Sequence, residues 1–376
     1  MSEETDIIWE IKPHTQAKHE ILRSYLGAWF PILSKWERKL IYLDGFAGPG
    51  VYKGGNDGSP VIALQTAVNH VLAPRFKEII FFFIEKDKKR AKMLEAVLEK
   101  KFPVLPQNIK YFVKGNAEFA PTFENVMDSL EKEGSKIAPT FAFLDPFGYS
   151  DLPMELVGRL LKCNKCEVFI TFMAGFIRRF LDEQKEQALN ELFGNQEWKP
   201  CKDIIDPQEK INALVSLYEK QLRTVGGAKY VRSFGMIGEH NQIVYYLIYA
   251  TKSLKGLEVM KAAMLRVDKS GSYKFSDITG NKQAFLDDFQ DAPSWIPNAA
   301  NAIYKRFRGK TVLDTEVYKF LIAETPFPKR KAILEYLEKS SPPKITNVLR
   351  PQKSTRGFPD GCSITFSNSH NQQLIC

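Results

Sequence analysis

The stretch of residues 38–60, RKLIYLDGFAGPGVYKGGNDGSP, constrains the fold of this chain more than any other. Its first part is an apolar run that ends in an acid, Asp44. Three glycines follow closely: Gly45, Gly48 and Gly50. Ser59 and Pro60 then lead into the apolar stretch VIALQTAV. This pattern predicts a strand, a glycine turn, a loop and a helix, with Ser59 as N-cap and Pro60 as the first helical residue.

The glycines indicate that a ligand approaches the turn closely, because turns with positive φ and a backbone lying against a ligand both favour residues without Cβ. The order Gly-x-x-Gly-x-Gly differs from the Gly-x-Gly-x-x-Gly of dinucleotide-binding folds. It resembles the Asp-x-Phe-x-Gly-x-Gly motif of S-adenosylmethionine (AdoMet) methyltransferases, whose acid and glycine loop hold the methionine end of the cofactor. The resemblance implies cofactor contacts from Asp44, Gly45, Phe46, Gly48 and Gly50. A glycine-rich turn without a ligand is the alternative.

Two further predicted strands end in residues suited to the rest of such a cofactor. Residues 78–84 form a nearly continuous apolar run, typical of a buried parallel strand, and Glu85 follows it. A carboxylate at this position accepts hydrogen bonds from ribose hydroxyls in nucleotide-binding folds. Residues 109–114 predict a third strand, after which Asn116 and Ala117 form a small turn that can pass under an adenine ring. A surface acid before a charged helix is the alternative for Glu85.

The fourth predicted strand, TFAFLDPFGY, carries the second strong motif. Its apolar part is followed by Asp145, Pro146 and Phe147, and Tyr149 comes two residues later. The motif resembles the (Asp/Asn)-Pro-Pro-(Tyr/Phe/Trp) of amino-methyltransferases, in which the acid or amide accepts hydrogen bonds from the target amine and the aromatic stacks on a flipped-out base. Here Phe147 replaces the second proline and Gly148 is inserted, which weakens the prediction of a nitrogen target. A turn after a buried strand is the alternative.

Several basic side chains are placed where a substrate or a phosphate could contact them. They are His14, Lys18 and His19 near the start of a helix predicted over residues 12–33, and Arg178 and Arg179 after a fifth predicted strand. A partly solvated helix start and a solvated helix face are the alternatives. Further helices predicted over about residues 180–226 form an insertion that could contribute to the substrate wall.

The pattern of predicted helices and strands changes after about residue 290. Residues 297–308, 314–323 and 328–338 predict three short helices, and ITNV and SITF predict strands on either side of a basic loop. This order is typical of a winged-helix domain, so we expect a first domain over residues 1–285 and a second over residues 290–376. The wing would carry Arg350, Lys353 and Arg356, which suits contacts with nucleic-acid phosphates. A protein-binding role is the alternative.

Charge and cysteine content bound the function only loosely. The formal net charge of +9, from 53 Lys and Arg against 44 Asp and Glu, favours polyanionic partners such as nucleic acid. Cys163 and Cys166 form a lone CxxC without a second Cys/His pair to complete a zinc site, so we predict no metal. No apolar run is long enough for a membrane span and the first residues do not resemble a signal peptide, so we expect a cytoplasmic protein.

The chain also resembles a bacterial and phage family, the three-Cys-motif partner proteins. The resemblance covers most of the chain through HTQAKHEILRSYLGAWFPIL, YLDGFAGPGVYKGG, FLDPFGY, KGLEVMKAAMLRVD and ETPF. The family takes its name from a second protein, encoded beside it, with a three-cysteine motif that resembles radical-AdoMet enzymes. The resemblance therefore implies such a partner, and an AdoMet-type core, without naming a reaction.

Together, these features predict an α/β chain with a Rossmann-like AdoMet methyltransferase sheet, helices on both faces, and a small winged-helix-like C-terminal domain. The predicted function is transfer of a methyl group from AdoMet to a nucleobase amine in DNA or RNA. The main alternative is a non-catalytic adaptor that binds nucleic acid for the three-cysteine partner. The glycine order and the lack of a credible hydride-transfer residue argue against an NAD-dependent dehydrogenase.

Overall fold

The computed structural model describes residues 7–148, 151–181, 185–268, 274–276, 295–328, 330–351 and 356–368. Tyr149 and Lys353, both predicted to contact a substrate or a phosphate, lie outside the described residues. Among the described helices, none combines the length and the apolar character that crossing a bilayer requires.

The fold is mixed α/β, built on one eight-stranded sheet with the strand order β3-β2-β1-β4-β5-β7-β6-β8. The strands are β1 Lys39–Asp44, β2 Glu78–Glu85, β3 Ile109–Gly115, β4 Thr140–Leu144, β5 Glu167–Phe172, β6 Tyr230–Ile237, β7 Ile243–Thr251 and β8 Lys274–Ser276. The first five are parallel, and β7 runs antiparallel between β5 and β6. The sequence also predicts this last pair, because residues 230–234 and 243–250 are two β-like runs separated by the turn signal Gly-Glu-His-Asn.

The chain reverses its direction of progress across the sheet beside β1. It moves from β1 outward to β2 and β3, and then returns to β4 on the other side of β1. Asp44 at the end of β1 pairs in register with Phe83 of β2 and with Phe143 of β4. In open parallel sheets, such a reversal leaves a crevice at the carboxyl ends of the two strands, where ligands bind. The fold therefore places the ends of β1 and β4 side by side at a topological switch point.

Helices cover both faces of the sheet. They are α1 Pro13–Ser34, α2 Ser59–Val68, α3 Lys88–Lys101, α4 Phe119–Lys132, α5 Met154–Lys162, α6 Ala174–Phe180, α7 Glu186–Phe193, α8 Pro207–Thr224 and α9 Leu254–Val267. Successive residues of β2 alternate between two cores, since Phe81 and Phe83 pack with α1, α2, α3 and α9, whereas Phe82 and Ile84 pack with α4 to α8. Burial on both faces explains why these strands read as continuous apolar runs.

The C-terminal residues form three helices and a small antiparallel sheet. The elements are α10 Ile296–Phe307, β9 Thr311–Leu313, α11 Asp314–Glu324, α12 Arg330–Glu338, β10 Ile345–Leu349 and β11 Ser363–Phe366, with the strand order β10-β11-β9. They enclose a hydrophobic core of their own, which includes Trp295, Phe307 and Leu337. The three helices agree with the predicted ones to within two residues at each end, whereas β9 was not predicted.

A buried lysine joins this region to the large sheet. Lys261 of α9 is fully buried and donates hydrogen bonds to the carbonyls of Leu321 (3.1 Å), Ile322 (2.9 Å) and Thr325 (2.6 Å) at the end of α11. The last carbonyls of a helix have no partner within it, so the Lys261 amino group satisfies them, although burial lowers its pKa to about 6. The side chain of Ile322 also packs into the core between the sheet and α1. The predicted boundary near residues 285–290 lies outside the described residues, so the division into two domains stays a prediction.

Candidate functional site

The glycine turn after β1 folds tightly back on itself. Gly48 and Gly50 have φ of +64° and +76°, which L-residues with a side chain rarely adopt. The amide of Gly58 donates to the carbonyl of Gly50 at 2.8 Å, and a Cβ on Gly58 would lie 2.9 Å from the Gly50 backbone. The loop therefore closes on its own backbone before α2 begins. Gly48 faces open space, since a Cβ built there meets nothing within 4 Å.

Asp44 is buried beneath this turn and fixes its geometry. Its carboxylate accepts hydrogen bonds from the Ser59 hydroxyl (2.7 Å), the Phe46 amide (3.2 Å) and the Tyr42 hydroxyl (3.4 Å). Burial raises the pKa of Asp44 to about 7, with a contribution from the negative charge of Asp145, although the three donors oppose the shift. The N-cap prediction is wrong, because Gly58 is the cap residue and Ser59 begins α2 with its hydroxyl turned to Asp44.

Glu85 links the glycine turn to the end of β2. It is only 5% exposed and accepts hydrogen bonds from the amides of Gly48 (2.7 Å) and Asp87 (2.8 Å), one on each carboxylate oxygen. A carboxylate offers about four acceptor positions, so it can still accept hydrogen bonds from a ribose. Asn116 follows β3 with φ of +53° and an exposed side chain, and the amide of Ala117 donates to the Glu85 carbonyl at 3.3 Å.

Asp145 at the end of β4 is held by an ion pair from the first helix. The ammonium of Lys18 lies 2.5 Å from its carboxylate, and Lys18 is 5% exposed. His19 is equally buried, and burial, with the Lys18 charge beside it, lowers its pKa to about 3. His19 is therefore a neutral imidazole at neutral pH, and its predicted contact with a substrate or phosphate stays a prediction. His14 packs its ring against Tyr245, with the ring centroids 5.5 Å apart, and accepts the Tyr245 hydroxyl on its carbonyl.

These elements surround a cavity of about 210 Å³ at the switch point. Eight predicted site residues line it: His14, Lys18, Phe46, Gly48, Gly50, Asp145, Pro146 and Phe147. The lining does not include Asp44, Gly45, His19, Glu85, Asn116 or Ala117, although Asp44 and Glu85 accept hydrogen bonds from lining residues. The sequence did not indicate several other lining residues, among them Trp9, Tyr52, Thr171, Met173 and Tyr245.

An aromatic cluster closes one side of the cavity. The ring of Trp9 lies edge-on to Phe147 at 5.4 Å and to Tyr52 at 5.9 Å. The guanidinium of Arg90, on α3, lies 5.0 Å from the Trp9 ring and 5.6 Å from the Phe147 ring. Trp9 is also held by its backbone, because its carbonyl accepts the Lys53 amide at 2.9 Å. The contacts bring together four separate segments, so no local pattern could have predicted them.

One polar group at the cavity lacks a partner in the described structure. The hydroxyl of Thr171, at the end of β5, is buried and makes no hydrogen bond with the described residues. A buried hydroxyl without a partner costs about 1–3 kcal/mol. The cavity therefore has an unsatisfied polar group, an acid paired with a lysine in Asp145 and Lys18, and an open glycine turn above the buried Asp44. This arrangement suits a polar ligand.

The remaining predicted contacts lie away from the cavity. Arg178 and Arg179 are on α6 and do not line it. Arg350 is directed into its own loop, since its guanidinium donates to the carbonyls of Gly357 (2.9 Å) and Val348 (3.2 Å) and lies 3.7 Å from Glu338. Arg356 is exposed in the same loop. The geometry therefore gives Arg350 a role in shaping the loop.

Comparisons of sequence return no relative, since no family model and no curated protein match the chain. Among solved structures, the chain is similar to a DUF574 family protein from Streptomyces avermitilis MA-4680, with 10% identity and a TM-score of 0.31. The match covers 64% of this chain and 84% of that one. A likeness this low carries no argument about function. Membership of the three-Cys-motif partner family stays a prediction from the sequence.

Proposed function

We propose that this protein is an AdoMet-dependent methyltransferase that acts on a nucleobase amine in DNA or RNA. One observation carries the proposal: the glycine turn after β1 and the Asp145-Pro146-Phe147 turn after β4 line the same cavity at the switch point. A cofactor turn and an acceptor turn must meet in this way if a methyl group is to pass directly between their ligands. Neither sequence motif by itself implies that the two turns line the same cavity.

The residues present fit the cofactor. Gly48, where an added Cβ would meet nothing within 4 Å, would leave room for the methionine portion, Glu85 would accept ribose hydroxyls, and Asn116 would contact the adenine edge. Gly50 would contribute the shape of the turn, because its φ is +76° and an added Cβ would lie 2.7 Å from the Leu94 side chain. AdoMet carries an ammonium and a sulfonium, and when bound it supplies the methyl group. The buried acid of Asp44, whose pKa is raised to about 7, favours a nearby positive charge. The Thr171 hydroxyl offers one further hydrogen bond.

On the acceptor side, Asp145 would accept a hydrogen bond from the target amine and orient its lone pair toward the methyl group. Lys18 already holds this carboxylate at 2.5 Å, so the amine would share it with the ammonium. Phe147 is 65% exposed and, with Trp9, offers an aromatic surface on which a base can stack. Orientation would supply most of the rate, since no strong base is required.

The test of cofactor binding is calorimetric titration of S-adenosylhomocysteine into the wild type and Glu85→Ala. Losing charge-assisted hydrogen bonds to ribose should cost about 1.5–3 kcal/mol, or about ten- to a hundredfold in affinity. Glu78→Ala is the matched control, because Glu78 is the acid at the opposite end of β2 and pairs only with surface lysines. Absence of binding by a folded wild type, or equal affinity in Glu85→Ala, would overturn the cofactor assignment.

The test of chemistry is single-turnover transfer of a labelled methyl group to mixed oligonucleotides. Asp145→Ala should abolish transfer while leaving affinity for S-adenosylhomocysteine within about threefold, because Asp145 contacts the acceptor rather than the cofactor. Unchanged transfer would remove Asp145 from its role. Equal loss of transfer and of cofactor affinity would assign it to the cofactor site instead.

The second candidate function is a non-catalytic adaptor for a three-cysteine-motif partner. Two contacts favour it, since Lys18 already pairs with Asp145 and Trp9 already packs on Phe147. For the C-terminal region we infer a winged-helix-like module, supported by its order of helix, strand, two helices and two strands. A stable complex with the partner, together with no methyl transfer to any nucleic acid, would favour the adaptor.

A further inference from the structure

A cleft in the C-terminal region is lined by positive charge. It has a volume of about 1120 Å³ and lies between the end of α10, the turn into β9, the end of α12 and the loop before β10. Six cationic residues line it: Lys305, Arg306, Arg308, Lys310, Lys339 and Lys344. No Asp or Glu is among its lining residues in the described part of the chain. The cleft is therefore a concentrated source of positive potential.

Five of these six cations have no carboxylate partner in the described part of the chain. Within the described ranges, none of Lys305, Arg306, Lys310, Lys339 or Lys344 forms an ion pair with a carboxylate. Other basic residues in the region do, since Arg330 pairs with Asp314 and Asp360. Like charges held together repel one another and oppose folding, so an anionic ligand would relieve a local cost.

Aromatic and hydroxyl groups lie among the cations. Tyr336 lines the cleft with 46% of its surface exposed. The Lys344 ammonium lies 5.1 Å from the Tyr304 ring, and the Tyr304 hydroxyl is anchored on Ser367 at 3.0 Å. Ser340 and Ser341 line the same wall. Sites for single-stranded nucleic acid combine cations along the path of the sugar–phosphate backbone with an exposed aromatic ring on which a base can stack.

We infer that this cleft binds the sugar–phosphate backbone of single-stranded nucleic acid, with Tyr336 stacking on a base. The predicted wing contact Arg350 donates into its own loop, so the cleft is the better-equipped phosphate site of this region. The inference rests on the proposed function only in its choice of nucleic acid as the substrate class. It requires neither cofactor binding nor catalysis.

The test measures fluorescence anisotropy of a labelled oligo(dT) of about 20 nucleotides with the full chain, a length that exceeds common single-strand site sizes. The cleft variant carries Gln at Lys305, Arg306, Lys310 and Lys339, all of which are exposed. Its matched control carries Gln at four exposed lysines in or beside the elements of the large sheet: Lys92, Lys100, Lys114 and Lys136. Both variants lose the same formal charge, so an effect of net charge alone would be equal in the two.

We expect the cleft variant to bind at least about tenfold more weakly, and the control to bind within about twofold of the wild type. The slope of log affinity against log salt should fall by about 0.7 for each lost phosphate contact. Tyr336→Ala should weaken binding by about tenfold through lost stacking while leaving that slope unchanged. A circular dichroism spectrum and a urea unfolding midpoint equal to those of the wild type would show that the cleft variant is folded, whether or not the chain binds S-adenosylhomocysteine, and would separate this result from the fate of the proposed function.

Three outcomes would overturn the inference. The first is equal weakening of oligonucleotide binding in the cleft variant and the matched control, which would indicate a general charge effect. The second is absence of oligonucleotide binding by the wild type at low salt. The third is tighter binding of the cleft to an acidic polypeptide such as poly-glutamate than to the oligonucleotide, which would assign it to a protein partner.

Discussion

Replacing Asp44 with Asn should make the protein more stable at high pH and remove a specific pH dependence. Asp44 is fully buried, and burial raises its pKa from the ordinary 3.8 to about 7. The folded form therefore holds this proton more tightly than the unfolded chain does. The stabilisation by the proton is complete below about pH 4 and is lost as the pH rises through about 7.

The size of the effect follows from the shift. A difference of about three pKa units corresponds to about 4 kcal/mol in the free energy of unfolding, at 1.36 kcal/mol for each unit. Asn cannot ionise; its amide oxygen can keep the hydrogen bond from the Phe46 amide, and its NH2 group, in place of the other carboxylate oxygen, can donate to the Ser59 hydroxyl. Between about pH 4 and pH 8, the free energy of unfolding of the wild type should therefore fall by up to about 4 kcal/mol relative to that of Asp44→Asn.

Urea unfolding followed by tryptophan fluorescence over this pH range measures the difference. Asp87→Asn supplies a control of opposite sign, because hydrogen bonds from the amides of Arg90 and Lys89 lower the pKa of that exposed N-cap residue. The stabilisation by Asp87 is present above about pH 4 and is lost as the pH falls. The assignment of a raised pKa would be refuted if the free energy of unfolding had the same pH dependence in the wild type and in Asp44→Asn. It would also be refuted if Asp44→Asn were less stable than the wild type at about pH 8.

Three other perturbations test separate parts of the structure. Lys261→Met should raise hydrogen exchange in α11 and destabilise that region by about 1–3 kcal/mol, because the buried Ile322 carbonyl loses its donor, while those of Leu321 and Thr325 keep only the Thr325 hydroxyl (2.6 Å) and the Arg232 guanidinium (3.5 Å); unchanged exchange would contradict this. Gly58→Ala should weaken binding of S-adenosylhomocysteine by more than about tenfold, since its Cβ meets the loop backbone at 2.9 Å. Gly48→Ala should cost about 1–2 kcal/mol of stability because φ there is +64°, and it should also weaken this binding because its Cβ would enter the space proposed for the methionine portion; unchanged affinity would remove Gly48 from the cofactor site. Trp9→Ala should speed association of S-adenosylhomocysteine in stopped-flow measurements, because the Trp9 ring belongs to the aromatic cluster that closes one side of the cavity. Slower association would show that Trp9 helps to bind the ligand.

Much of the large sheet could be predicted because its strands are buried on both faces. Such strands are continuous apolar runs, and the residue after each run marks the edge where ligands bind. Asp44, Glu85 and Asp145 were found in this way. By contrast, β8 and β9 have three residues each, too few for a period of two to show.

The contacts that define the site could not be predicted from local patterns. Lys18 and Asp145 are 127 residues apart, and only the packing of α1 over the sheet brings them together. The charge of His19 depends on burial, which a histidine near a helix start does not reveal. Lys261 fits the polar positions of an amphipathic helix, yet it is fully buried because the end of α11 supplies three carbonyls.

The two candidate functions make different demands on Asp44. An adaptor needs only the shape of the glycine turn, and an amide at position 44 could hold that turn without a charge. A buried carboxylate with a pKa of about 7 lowers stability at neutral pH, so it is better explained by a ligand whose positive charge stabilises the ionised form. If S-adenosylhomocysteine is that ligand, its binding should release protons near pH 7, and its affinity should rise with pH in the wild type but not in Asp44→Asn. Affinity independent of pH in both proteins would leave Asp44 as a structural residue and favour the adaptor.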